Sequence, residues 1–161
     1  MVDKAPHNFE WLGWLTMCFP EATILHVGRA PADTCLSCFF QSFSTSRHGY
    51  SNDLVDLGRH YLYYRAMMAY WCSVLPGRIH SVCYENLVSQ PETEIPALLA
   101  ACGLEMEETC LSPHRTERSV LTASKTQVRE PIHKASVQKW RRYEEKLQPL
   151  LDVLREGGVA V

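Results

Sequence analysis

No apolar run in this chain approaches the roughly 18–20 residues that a membrane-crossing helix needs, so the sequence offers no membrane span. No basic segment leading into an apolar block and a small-residue cleavage site opens it either, which points to a cytoplasmic protein. Positive charge is not in excess: 16 Lys and Arg stand against 18 Asp and Glu, a net −2. That balance argues against nucleic-acid binding by bulk charge. No G-x-x-x-x-G-K-[ST] phrase occurs and no carboxylate sits as a magnesium ligand would, which argues against a P-loop kinase acting on small molecules. Repeats and low-complexity tracts are absent too. Cysteine is present but unpaired in pattern: seven residues, an odd number at irregular spacing. Cys35 and Cys38 form a C-x-x-C within a helical stretch, and no second pair exists to complete a zinc or redox motif. The expectation is reduced thiols packed as small hydrophobes, and no metal.

What is present is the balance of a folded domain. A length of 161 residues, 46% hydrophobic and 21% charged, suits one soluble globular domain with a sizeable core. Charge is unevenly spread. Between Glu85 and Leu111 there are six acids and no Lys or Arg, whereas Ser112 to Lys146 carries nine Lys and Arg against four Glu. The second stretch is where an anionic ligand would be drawn, although most charge runs are simply solvated faces.

Residues 22–43 organise the chain. Ile24 to Val27 has the length and β-branched content of a buried strand. Gly28-Arg29 breaks it, and Pro31 falls where a helix would begin, since its fixed φ suits the first turn. Leu36, Phe39, Phe40 and Phe43 then recur at helical spacing and predict an apolar face. A strand feeding a helix through a tight turn is half of a βαβ unit, and its helix start gathers unpaired N–H groups. Arg29 at the turn and Ser37 two turns on are suited to close around a phosphate; the generic reading of the same pair is a surface arginine and an incidental serine.

Before this unit, Asn8 is placed to cap a helix carrying Phe9, Leu12 and Leu15 to Met17. After it, 44–52 reads as a polar loop. Leu54, Leu57, Tyr61, Tyr64, Met68, Trp71 and Leu75 step by three and four and predict a long helix, stopped by Pro76-Gly77. Core packing is the expected role of that aromatic stripe. Ile79 to Tyr84 predicts a second strand, Glu85 to Val88 a short turn of helix, and Pro91 to Cys102 a helix ended by Gly103. Leu104 to Pro131 loses periodicity and reads as a long loop. Ser136 is a candidate cap for a last helical region in which Val137, Trp140, Tyr143 and Leu147 share a face, with Pro149 bending the chain before Leu150.

Three phrases, "DKAPHNF", "FPEATILHVGRAPADTCLS" and "CYENLV", together with the basic "TASKTQVREPIHKASVQKWRRY", resemble the sulfotransferase family. The likeness is to the branch of the protein-tyrosine sulfotransferases and their bacterial relatives. It extends over about Val2 to Leu154, and no single phrase decides it; their order and spacing together do.

The resemblance implies an α/β fold, a P-loop-like three-layer parallel sheet with flanking helices. It corresponds to the C-terminal two-thirds of such a domain over 1–161, without the family's first strand and phosphosulfate-binding loop. It implies transfer of a sulfuryl group from 3′-phosphoadenosine 5′-phosphosulfate (PAPS) to a hydroxyl acceptor, a protein tyrosine being one candidate. Carried over residue by residue, Arg29 and Ser37 hold the 3′-phosphate and Tyr84 lies near the nucleotide. Ser124 and Lys139 touch the donor from the basic segment, and Lys4 steadies the leaving group at the bridging oxygen. Asp33 matches an acid of the same pattern, Glu85 is read as structural and Trp140 as packing. No residue matches the family's general base: His7 and His26 are the nearest histidines, and His26 reads as a satisfied core residue. The alternative is a non-catalytic nucleotide-binding or interaction module derived from a sulfotransferase.

Overall fold

The computed structural model describes residues 2–41, 43, 46–115 and 129–161. A 3₁₀ turn at Asn8–Trp11 leads into α1 (Leu12–Cys18), then β1 (Ile24–Gly28) and α2 (Pro31–Phe39). A 3₁₀ stretch at Ser46–Asn52 precedes α3 (Leu54–Val74), β2 (Ile79–Cys83), α4 (Tyr84–Ser89) and α5 (Pro91–Ala101). Two short 3₁₀ turns, Glu108–Leu111 and Pro113–Arg115, and a longer one, Lys139–Leu147, lead to α6 (Gln148–Glu156).

β1 and β2 pair in parallel, from Ile24 opposite Ile79 to Gly28 opposite Cys83. Parallel neighbours need a crossover, and α2 and α3 supply it. The fold is mixed α/β and mostly helical, with a sheet of two parallel strands among the described residues. Because both C-terminal strand ends lie side by side, Arg29 and Tyr84 emerge at the same edge of the sheet.

Local chemistry explains most boundaries. Pro31 opens α2 and Pro91 opens α5. Asp53 caps α3, its Oδ1 accepting the N–H groups of Val55 at 2.9 Å and Asp56 at 3.0 Å. Gly77 and Gly103 take the positive φ that ends α3 and α5.

Several expectations are corrected. Asn8 caps nothing; its amide donates to Asp3 instead, and the first turn is 3₁₀. The 44–52 loop contains the 3₁₀ stretch from Ser46, in which Ser51 is buried. Ser136 is not a cap either, because the last 3₁₀ stretch starts at Lys139 and its cap position falls on Gln138, which makes no side-chain capping bond. On α2 the phenylalanines are not the core face: Phe39 and Phe40 are exposed, while Ala32, Asp33, Cys35 and Leu36 are buried. β1 is not the buried strand expected: one side, Ile24, His26 and Gly28, is half-buried and the other is exposed. Its Leu25 and Val27 are exposed on the opposite face, where α5 flanks the sheet across a groove of about 380 Å³.

Among the described residues the core forms two clusters joined by α3. Leu54, Leu57 and Tyr61 pack with Ala32, Cys35 and Leu36 of α2, Trp140, and Leu147, Leu150, Leu151 and Leu154. Tyr64, Met68 and Trp71 pack with Phe9, Leu12, Ile24 and Ile79. The predicted stripe is therefore core, as expected, but its two halves face different partners. Trp71 also donates its indole N–H to the Phe9 carbonyl at 2.7 Å. Where α3 meets α6, Gly58 allows close approach: a Cβ there would lie 2.9 Å from the Val153 side chain.

Candidate active site

Ligands of parallel α/β sheets gather beyond the carboxyl ends of the strands, and here that edge carries a linked set of polar side chains. Arg29, the residue after β1, lies over the Tyr84 ring with its Cζ 4.9 Å from the centroid. Its Nη2 donates to the Ser136 carbonyl at 2.6 Å, while its Nε is buried with no hydrogen-bond partner among the described residues. Glu85 ties the two strand ends together. Its Oε1 accepts the Ala30 N–H at 2.9 Å and its Oε2 accepts the Cys83 thiol at 3.3 Å. Burial pushes the Glu85 carboxyl up, but the bonds from the Ala30 N–H, its own backbone and the Cys83 thiol, with the Arg29 charge, outweigh this and leave it below the ordinary value.

One stripe of α2 continues the site. Asp33, Ser37 and Phe40 follow at steps of four and three, so they share a face. Asp33 is buried, and both its oxygens accept backbone N–H groups from the returning chain, Gln138 at 2.6 Å and Trp140 at 2.9 Å. Lys139, between them, places its Nζ 5.8 Å from the Phe40 ring. Ser37, on the same stripe, is exposed and makes no hydrogen bond among the described residues.

The fold thus brings Arg29 and Tyr84 into contact and lays Lys139 along the helix face that bears Ser37. Lys4 is exposed in the loop before the first 3₁₀ turn and makes no hydrogen bond or ion pair with the described residues. Ser124 lies outside the described residues.

A model of the "Sulfotransferase family" matches residues 1–108. The chain belongs to the sulfotransferase family. The "DKAPHNF", "ATILHVGRAPADTCLS" and "CYENLV" phrases all fall within that match, and the basic segment follows it. An uncharacterized protein of Aquifex aeolicus (strain VF5) is 39% identical over 160 residues, 98% of this chain. The chain spans about a fifth, 21%, of that relative's length.

Within this sulfotransferase chain, two features had no signal in the sequence strong enough to assign. One is the Asp33 clamp on Gln138 and Trp140, which joins residues 105 and 107 positions apart. The other lies near Lys4, where His7 pairs its Nε2 with the Tyr50 hydroxyl at 3.1 Å and stacks on His48 with centroids 5.0 Å apart. Tyr50 stacks on His60 at 3.6 Å. Burial first, then the neighbouring His7 and His48, lower the His60 pKa against the opposing pull of Glu10. His26 is half-buried and hydrogen-bonded to the Tyr64 hydroxyl, the satisfied histidine that was expected. Among the described residues no group of His, Cys, Asp or Glu could hold a metal ion, and no helix is long and apolar enough to cross a membrane.

Proposed function

We propose that this chain grips PAPS by its 3′-phosphate and serves sulfuryl transfer to a hydroxyl acceptor, with protein tyrosine as one candidate. The observation that carries the reading is Arg29. Its guanidinium stands at the C-terminal end of β1, braced by the Tyr84 ring and the Ser136 carbonyl, with a buried Nε that has no partner among the described residues. A buried N–H donor left unpaired is costly, and an anionic oxygen is the acceptor that suits a guanidinium best. The residues present therefore fit a phosphate.

PAPS, when bound, supplies the activated sulfuryl group. Arg29 and the exposed Ser37 hydroxyl hold the 3′-phosphate, the first as a rigid fork and the second as a single donor. Tyr84 keeps the guanidinium in plane beside the nucleotide, and Lys139 adds a second cation. Ser124 joins this set on the family's pattern. Lys4 is the catalytic cation, holding positive charge where the leaving group's bridging oxygen becomes negative. Glu85 keeps the two strand ends together through the bonds its oxygens accept from Ala30 and Cys83.

Isothermal titration with 3′,5′-adenosine bisphosphate tests the grip. Arg29→Ala is expected to weaken binding about 10- to 100-fold, the range for hydrogen bonds to a charged group. Unchanged affinity would remove Arg29 from the site.

A further inference from the structure

The polar edge described above is completed by a segment that returns to it from a distant part of the chain, and one buried side chain fastens that segment. Asp33 is only 1% exposed, and no ion pair engages it among the described residues. A carboxylate taken out of water must recover its lost hydration through hydrogen bonds. Here the recovery comes from two main-chain donors, the N–H groups of Gln138 and Trp140. Gln138 sits at φ 55°, ψ 23°, a left-handed conformation that a glutamine seldom adopts. Such strain persists where surrounding contacts over-determine it, and the shorter of the two bonds falls on this residue's own N–H. The residues flanking the clamp reach the candidate site. Ser136 receives Arg29 through its carbonyl, and Lys139 reaches the α2 face that carries Ser37. The clamped and site-facing residues are interleaved within five positions.

We propose that Asp33 is the positioning residue of the donor grip. By clamping 136–140 against α2 it sets the Arg29 guanidinium through Ser136 and brings in Lys139, so preference for a 3′-phosphate depends on a side chain that never touches it. This rests on the donor reading given above.

Three proteins and two nucleotides test it: the full chain, Asp33→Asn and Gln138→Val, each titrated with 3′,5′-adenosine bisphosphate and with adenosine 5′-monophosphate. Asn offers one acceptor where Asp offers two, so one clamp bond is lost. Val at the exposed Gln138 cannot hold the left-handed turn, and it releases the clamp from outside without entering the core. Each variant is expected to lose about tenfold of its preference for the 3′-phosphorylated nucleotide while affinity for the monophosphate stays within twofold. Amide exchange at residues 138 and 140 should accelerate in both. The double variant Asp33→Asn/Gln138→Gly should recover part of the preference, because glycine accepts the turn without the clamp.

Equal losses for both nucleotides, or faster exchange with the preference intact, would overturn the positioning role while leaving the donor reading standing. An unmodified chain that shows no preference for the 3′-phosphate would overturn the donor reading itself, and this proposal with it. Should Asp33→Asn fail to fold, Gln138→Val decides the matter alone.

Discussion

Arg29 has its hydrogen-bonding geometry already built: the Tyr84 ring holds one face of the guanidinium and the Ser136 carbonyl takes one nitrogen. Arg29→Lys keeps the charge but loses the planar fork and the stacking, so titration with 3′,5′-adenosine bisphosphate should show at least a tenfold loss of affinity. Histidines at this scale control pH response. Burial lowers the pKa of His26 and, with the neighbouring His7 and His48, that of His60, from the usual 6.5. Above pH 7 these rings are neutral in both folded and unfolded chains and no stability is lost. As pH falls through 6.5 the unfolded chain binds protons that the folded one resists, so stability declines. The urea midpoint should therefore be lower at pH 5.5 than at 7.5, and His60→Phe should shrink the difference. The positions of Arg29 after β1 and Ser37 on α2 were legible in the sequence because strand, turn and helix start lie within sixteen residues. Asp33 stood in the same phrase, but its role was hidden because its partners, Gln138 and Trp140, arrive from the far end of the chain.

At the scale of elements, α3 is the spine. Its start was written locally, and Asp53→Ala should cost about 1 kcal/mol by removing the cap from Val55 and Asp56, measurable by urea denaturation. Its packing was written less locally. The step of three and four announced an apolar stripe, but only assembly assigned Leu57 and Tyr61 to the α6 side and Met68 and Trp71 to the α1 side. Gly58 shows the same division. In sequence it is a weak helix residue, whereas in the fold Val153 and Leu150 of α6 pack directly against it. Gly58→Leu should therefore destabilise the chain by about 1–3 kcal/mol despite its better helix propensity, lowering the urea midpoint. The α2 phenylalanines err the other way. Phe39 and Phe40 looked like core by spacing but are exposed, since the helix presents Ala32, Cys35 and Leu36 inward.

Across the whole molecule, burial is lopsided. Leu150, Leu151 and Leu154 of α6 are fully buried, while α5 has no buried residue. Amide exchange should report this directly, with α6 among the slowest-exchanging segments and α5 at least tenfold faster, because local opening of α5 uncovers little apolar surface. Equal protection in the two helices would contradict the two-cluster description of the core. The sequence by itself determined the pieces: two short β-branched strands, the proline starts and glycine stops of the helices, the long α3 stripe and the strand–turn–helix phrase with its arginine. These follow from φ preferences, side-chain periodicity and N–H groups that must be paired within a few residues, all of them local. Tertiary structure alone decided which faces are covered, where the strained turn at Gln138 lies and what Asp33 and Glu85 hold. Those outcomes depend on donors and acceptors that meet only when distant segments are packed, and a buried carboxylate can find its partners in no other way.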